Sequence, residues 1–114
     1  MTDQTQPAAG IDEARLTEAV ARIVAACAPQ QIILFGSRVY GRPMADSDMD
    51  VLVVVSDRSP DRFELARRAY GALRDLHLPI ELHFCKASTF DRYSSVVGSF
   101  YREAKTRGRV VYAA

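Results

Sequence analysis

Two short runs of the chain carry the residue types that hold phosphate and hard cations: Phe35-Gly36-Ser37-Arg38-Val39-Tyr40-Gly41, and then Asp46-Ser47-Asp48-Met49-Asp50. At Gly36 the missing side chain lets the backbone come close to a bulky anion. The Ser37 hydroxyl, with the free N–H groups at the start of a short helix predicted over Ser37 to Tyr40, can hold phosphate oxygens. Asp48 and Asp50 stand at i and i+2 where an apolar strand begins, so both carboxylates project to one side, within reach of one hard cation or a pair. Mg²⁺ prefers such oxygen ligands and completes its octahedron with water and substrate phosphates. Where two ions act together they lie roughly 3.5–4 Å apart and stabilise the attacking and leaving oxygens of an in-line displacement. Either run alone is ordinary turn and cap chemistry. Jointly they bring a phosphate grip and a metal platform to the two ends of one connection.

Other residues near this chemistry carry weaker signals. Arg38 and Arg42 could each pair with a phosphate, and Asp46 reads as a loop cap. Glu81, His83 and Cys85 alternate along one strand and face one side of it. With no second ligand cluster, packing or hydrogen bonding is expected there rather than a zinc site. Arg67, Arg68 and Arg74 read as a solvated helix face, and Tyr70, Tyr93, Phe100 and Tyr101 as core or interface residues rather than a base-stacking platform.

The elements that must position these residues follow from hydrophobic spacing. Ile11, Leu16, Val20, Ile23, Val24 and Cys27 predict an amphipathic helix over Ile11 to Ala28, ended by Pro29. Gln31 to Phe35 reads as a strand feeding the tight turn at Gly36. Met49 to Val55 is rich in β-branched residues, as a central strand buried on both faces requires. Ser59-Pro60-Asp61 signals the start of a helix running to about His77. Pro79 to Phe84 gives a third strand, Ser88 or Thr89 can cap a last helix reaching about Lys105, and Val110 to Tyr112 offers a small terminal strand. The sum is an α/β layout, a mixed three- to four-stranded sheet flanked by helices. It divides into a flexible 1–10 and a single domain over 11–114.

Composition narrows the function classes. A chain of 114 residues supports one core, with no room for a separate substrate domain. Basic and acidic residues number 15 and 14, for a net charge of +1. No global field therefore draws the protein to nucleic acid or membrane, and the lack of a basic stripe argues against direct nucleic-acid binding. Cys27 and Cys85 are far apart in sequence and form no Cys-x-x-Cys motif, which fits a reducing, cytoplasmic setting. Neither a signal peptide nor a membrane-spanning run is expected.

Taken together, Gly36-Ser37, the Gly41 four residues after that Ser, and Ser47-Asp48-Met49-Asp50 entering an apolar strand resemble the minimal nucleotidyltransferases of the DNA polymerase β-like superfamily, which include antitoxin-type proteins. The preceding helix, the third strand and Arg102 to Tyr112 also look like that family. The resemblance implies a nucleotidyltransferase fold and Mg²⁺-dependent transfer of a nucleoside monophosphate, AMP from ATP, to a hydroxyl acceptor on a partner protein. It matches Gly36 and Ser37 to the nucleotide-phosphate signature and Asp48 and Asp50 to the metal-binding aspartates, with two ions expected. The family usually supplies a third Asp from a later strand. Glu81 stands there instead, as a further metal ligand or the group that takes the acceptor proton, with an added methylene worth about 1.5 Å of reach. The partner implied is a HEPN-type ribonuclease toxin whose tyrosine would receive AMP. If Glu81 cannot fill the third position, the alternative is a catalytically weak relative that neutralises or scaffolds its partner by contact.

Overall fold

The computed structural model describes residues 13–36 and 49–114. The expected 1–10 terminus and the short helix at Ser37 to Tyr40 fall outside the described residues. The first element is α1, Glu13–Cys27, which buries Leu16, Ala19, Ile23 and Cys27, a stripe at helical spacing. It ends at Ala28, whose positive φ of 47° turns the chain before Pro29. Strand β1, Gln31–Phe35, and strand β2, Met49–Val55, pair antiparallel. Helix α2, Arg62–Leu73, starts at Asp61, whose carboxylate accepts the N–H groups of Phe63 and Glu64. Its C-terminal end tightens into a 3₁₀ turn, Arg74–Leu76, closed by left-handed His77.

Strand β3, Ile80–Lys86, lies parallel to β2, and β4, Arg109–Ala113, lies antiparallel to β1. The sheet order is β3-β2-β1-β4, so the mixed sheet has four strands with β1 and β2 inside. On one face α1 and α2 cover Ile32, Leu34, Met49, Val51, Val53, Val55 and Leu82. The Arg22 guanidinium on α1 fastens this layer by reaching the Ala72 carbonyl and the Asp75 carboxylate at 3.1 and 2.7 Å. On the outer edge of the sheet, the Leu82 N–H donates to the Tyr70 hydroxyl of α2 at 2.8 Å.

The opposite face is covered differently from the sequence expectation. The single last helix is in fact two, α3, Ala87–Tyr93, and α4, Phe100–Arg107. Gly98 adopts φ +85°, a conformation that helix continuation forbids, and Ser99 then caps α4 by accepting the Arg102 N–H. Neither Ser88 nor Thr89 caps α3, because the helix begins before them at Ala87; the Ser88 N–H instead donates to the Asp57 carboxylate at 3.0 Å. That bond holds the Asp57 carboxyl below the usual carboxylate range.

Candidate functional site

Register brings the acidic residues together. Across β1, β2 and β3, Phe35 is opposite Asp50 and Asp50 is opposite Glu81. Asp50 is the one polar residue in the seven of β2, and it lies near the start of the strand, level with the end of β1 at Phe35. Two rows on, Leu52 lies beside His83, so Asp50, Glu81 and His83 share a face.

Gly36 closes one side. Its φ is +109°, and a Cβ there would stand 2.8 Å from the Asp50 Oδ2. Only glycine tolerates both the conformation and the contact, so the backbone leaving β1 runs against the carboxylate itself. The position that a Gly36 side chain would take is thus filled by the Asp50 carboxylate.

His83 closes the other side. Its Nε2 is 3.0 Å from the Asp50 Oδ1, with both side chains about one-third exposed. Phe35 and Phe100 pack against the imidazole, with ring centroids 5.9 and 5.1 Å from it, and meet each other edge to face at 4.9 Å. Phe100 reaches this position because the break at Gly98 restarts the chain as α4 with Phe100 as its first residue. Ligand atoms of Asp50, Glu81 and His83 all lie within 4.8 Å of one another, a two-carboxylate, one-imidazole donor set that fits a divalent cation. Cys85, two residues on, does not join them: it packs with Ile33, Leu52, Val54 and Phe90, and burial pushes its thiol up to about 12, so it stays protonated at neutral pH. Beside His83 a cleft of about 290 Å³ opens between Arg62 and Phe63 of α2 and Phe100 and Tyr101 of α4.

Of the residues singled out from sequence, the structure thus brings together Gly36, Asp50 and Glu81. Ser37, Arg38, Arg42, Asp46 and Asp48 lie outside the described residues. Arg67 and Arg68 sit on an exposed face, paired with Glu64. The hydrogen bonding expected of His83 is present, but its partner was not foreseeable. The available signal was its i+2 spacing from Glu81, which fixes the face but not the strand alongside. Phe100, read as a core or interface residue, packs on Phe35 and the His83 imidazole, a contact that sequence spacing did not show. Among the described residues no helix is long and apolar enough to cross a membrane.

A family model described as a nucleotidyltransferase domain matches residues 14–108. Solved structures share the fold at low identity. A toxin–antitoxin complex with AMP-PNP aligns with TM-score 0.55 and 18% identity, over 91% of this chain and 75% of the other. A chain from Sulfolobus solfataricus, described as a candidate nucleotidyltransferase, aligns with TM-score 0.54 and 16% identity over 92% of both chains. A mutant of the toxin–antitoxin MntA-HpeT aligns with TM-score 0.54 and 16% identity, over 91% of this chain and 75% of the other. No curated protein sequence matches at a significant level.

Proposed function

Because the chain belongs to the nucleotidyltransferase domain family, we propose that it moves a nucleoside monophosphate, AMP from ATP, onto a hydroxyl of a partner protein. The observation that carries this reading is the row of Asp50 and Glu81 on adjacent parallel strands, with the Gly36 backbone against Asp50. Gly36 and Ser37 hold the β- and γ-phosphates, and Arg38 and Arg42 are placed in sequence to pair with the same anion. Asp50 and Glu81, with Asp48 two residues before Asp50, are the residues that would hold Mg²⁺, two ions in all. When bound, the metal supplies charge neutralisation on the triphosphate and the departing pyrophosphate.

The acceptor hydroxyl oxygen bonds to the α-phosphorus as the bond to pyrophosphate breaks, and the hydroxyl proton passes to the Glu81 carboxylate or, with Glu81 engaged on the metal, to solvent. The rest of the work is positioning. Glu81 is exposed on an edge strand, so its longer side chain has room to turn toward the acceptor. The cleft between Phe63 and Phe100 beside His83 is the place for an acceptor side chain. The sequence resemblance, and a fold shared with toxin–antitoxin complexes, favour a HEPN-type ribonuclease toxin as the partner, its tyrosine the acceptor, in the cytoplasm where ATP is plentiful.

The test is incubation with labelled ATP, Mg²⁺ and the co-encoded neighbouring protein, followed by mass spectrometry of both chains. An AMP-sized mass increase on the partner, absent with Asp50→Asn and with Asp48→Asn, is the expected result. Neutralisation of the partner without any added mass, unchanged in both variants, would replace enzymatic transfer with inhibition by contact.

A further inference from the structure

We propose that His83 is itself a metal ligand through Nε2, and that the site formed with Asp50 and Glu81 therefore favours a transition ion such as Mn²⁺ over Mg²⁺. The proposal rests on the reading above only in placing a divalent cation at Asp50 and Glu81. Three observations support it. The first is separation: donors at neighbouring corners of an octahedron with bonds of about 2.1 Å lie roughly 3 Å apart, and His83 Nε2 and Asp50 Oδ1 are 3.0 Å apart. An ion can take the place of the shared hydrogen with little movement of either strand. One ligand atom each of Asp50, Glu81 and His83 lies within 4.8 Å of the others, so the Glu81 carboxylate stands beside the same point.

The second is orientation. Phe35 and Phe100 both pack on the imidazole, 5.9 and 5.1 Å between centroids, and the ring stands with Nε2 toward Asp50. A histidine kept only to fill the core would have no need of that direction; Leu52, its register neighbour on β2, is fully buried, whereas the His83 and Asp50 side chains are each about one-third exposed. The third is ligand chemistry. Mg²⁺ is held by oxygen donors and dehydrates reluctantly, while imidazole suits first-row transition ions. A donor set of two carboxylates and one imidazole thus tilts selection away from Mg²⁺.

Pulsed electron paramagnetic resonance on the full chain with Mn²⁺ and α,β-methylene ATP reads the ligand directly. Coupling of Mn²⁺ to ¹⁴N is expected, converting to ¹⁵N coupling when the protein is grown with ¹⁵N-histidine and disappearing in His83→Gln. In titrations His83→Gln should lower Mn²⁺ affinity about tenfold or more while Mg²⁺ affinity changes less than about threefold. Because isotopic labelling uses the unaltered chain, the outcome does not depend on how the variant folds. Mn²⁺ bound without coupling to histidine nitrogen would overturn the proposal and leave His83 as a residue that only orients Asp50, with the carboxylate metal site standing. Failure of Mn²⁺ and Mg²⁺ alike to bind in the presence of the nucleotide analogue would overturn both.

Discussion

On the face of the sheet covered by α1 and α2, β2 contributes Met49, Val51, Val53 and Val55, all buried. On the opposite face the same strand contributes Asp50, Leu52 and Val54, and only the last two pack into the cluster that includes Phe90 of α3 and Ala104 of α4. One strand therefore serves a closed layer on one side and a half-open one on the other. An ionised carboxylate is tolerated only where desolvation is incomplete. Among the described residues, Asp50, Glu81 and His83 lie together at that end of the sheet and only partly buried or exposed. The larger core cluster and the candidate site thus fall on opposite faces of one sheet, linked through alternation along single strands.

That division can be broken in order of expected effect. Asp50→Asn should reduce nucleotidyl transfer about 10³-fold, roughly 4 kcal/mol of barrier, while the thermal midpoint shifts by only about 2 °C; label transferred to the partner and a melting curve measure the two sides. Leu65→Ala, in the layer under α2, should cost about 2–5 kcal/mol of stability by denaturant titration, with the transfer rate per folded molecule unchanged. Gly36→Ala should couple the faces, since its Cβ would meet Asp50 Oδ2 and the residue holds φ +109°: a stability loss of about 1–3 kcal/mol accompanied by loss of transfer. If Gly36→Ala impaired stability but left transfer intact, the contact with Asp50 would have no part in the chemistry.

The smallest effect concerns pH. The Asp57 carboxyl is held below its ordinary range chiefly by the Ser88 N–H. The unfolded chain then binds the proton more readily than the folded one, so this contribution is complete above the ordinary carboxylate range and is lost as pH falls through the lowered value. Acid unfolding of Asp57→Asn should lack that component, and the difference from the wild type should vanish at the acid end. It should act on α3 and the open face rather than on the α1–α2 layer.

Much of this was legible in the sequence because it depends on local pattern. The β-branched run of β2 announces its burial, and Asp50 announces itself by interrupting that run. Gly36 follows from the strand before it and the carboxylates after it. The pairing of His83 with Asp50 joins residues 33 apart through a parallel register, which side-chain alternation within β3 could not reveal. The contact of Phe100 with His83 is hidden by the expectation of one continuous last helix; the break depends on a left-handed Gly98 and a Ser99 cap, two small residues whose signal an amphipathic pattern readily overrides.

The Tyr70 hydroxyl on Leu82 has a consequence for life in a crowded solution. Among the described residues β3 is an outer strand with no neighbour beyond it, and outer strands recruit other chains through their open N–H and C=O groups. Any strand joining alongside β3 must first displace a phenol already seated on the backbone. A single aromatic side chain thus discourages fibre-like stacking on the strand that also carries Glu81 and His83, allowing those residues to stay accessible without leaving the edge adhesive.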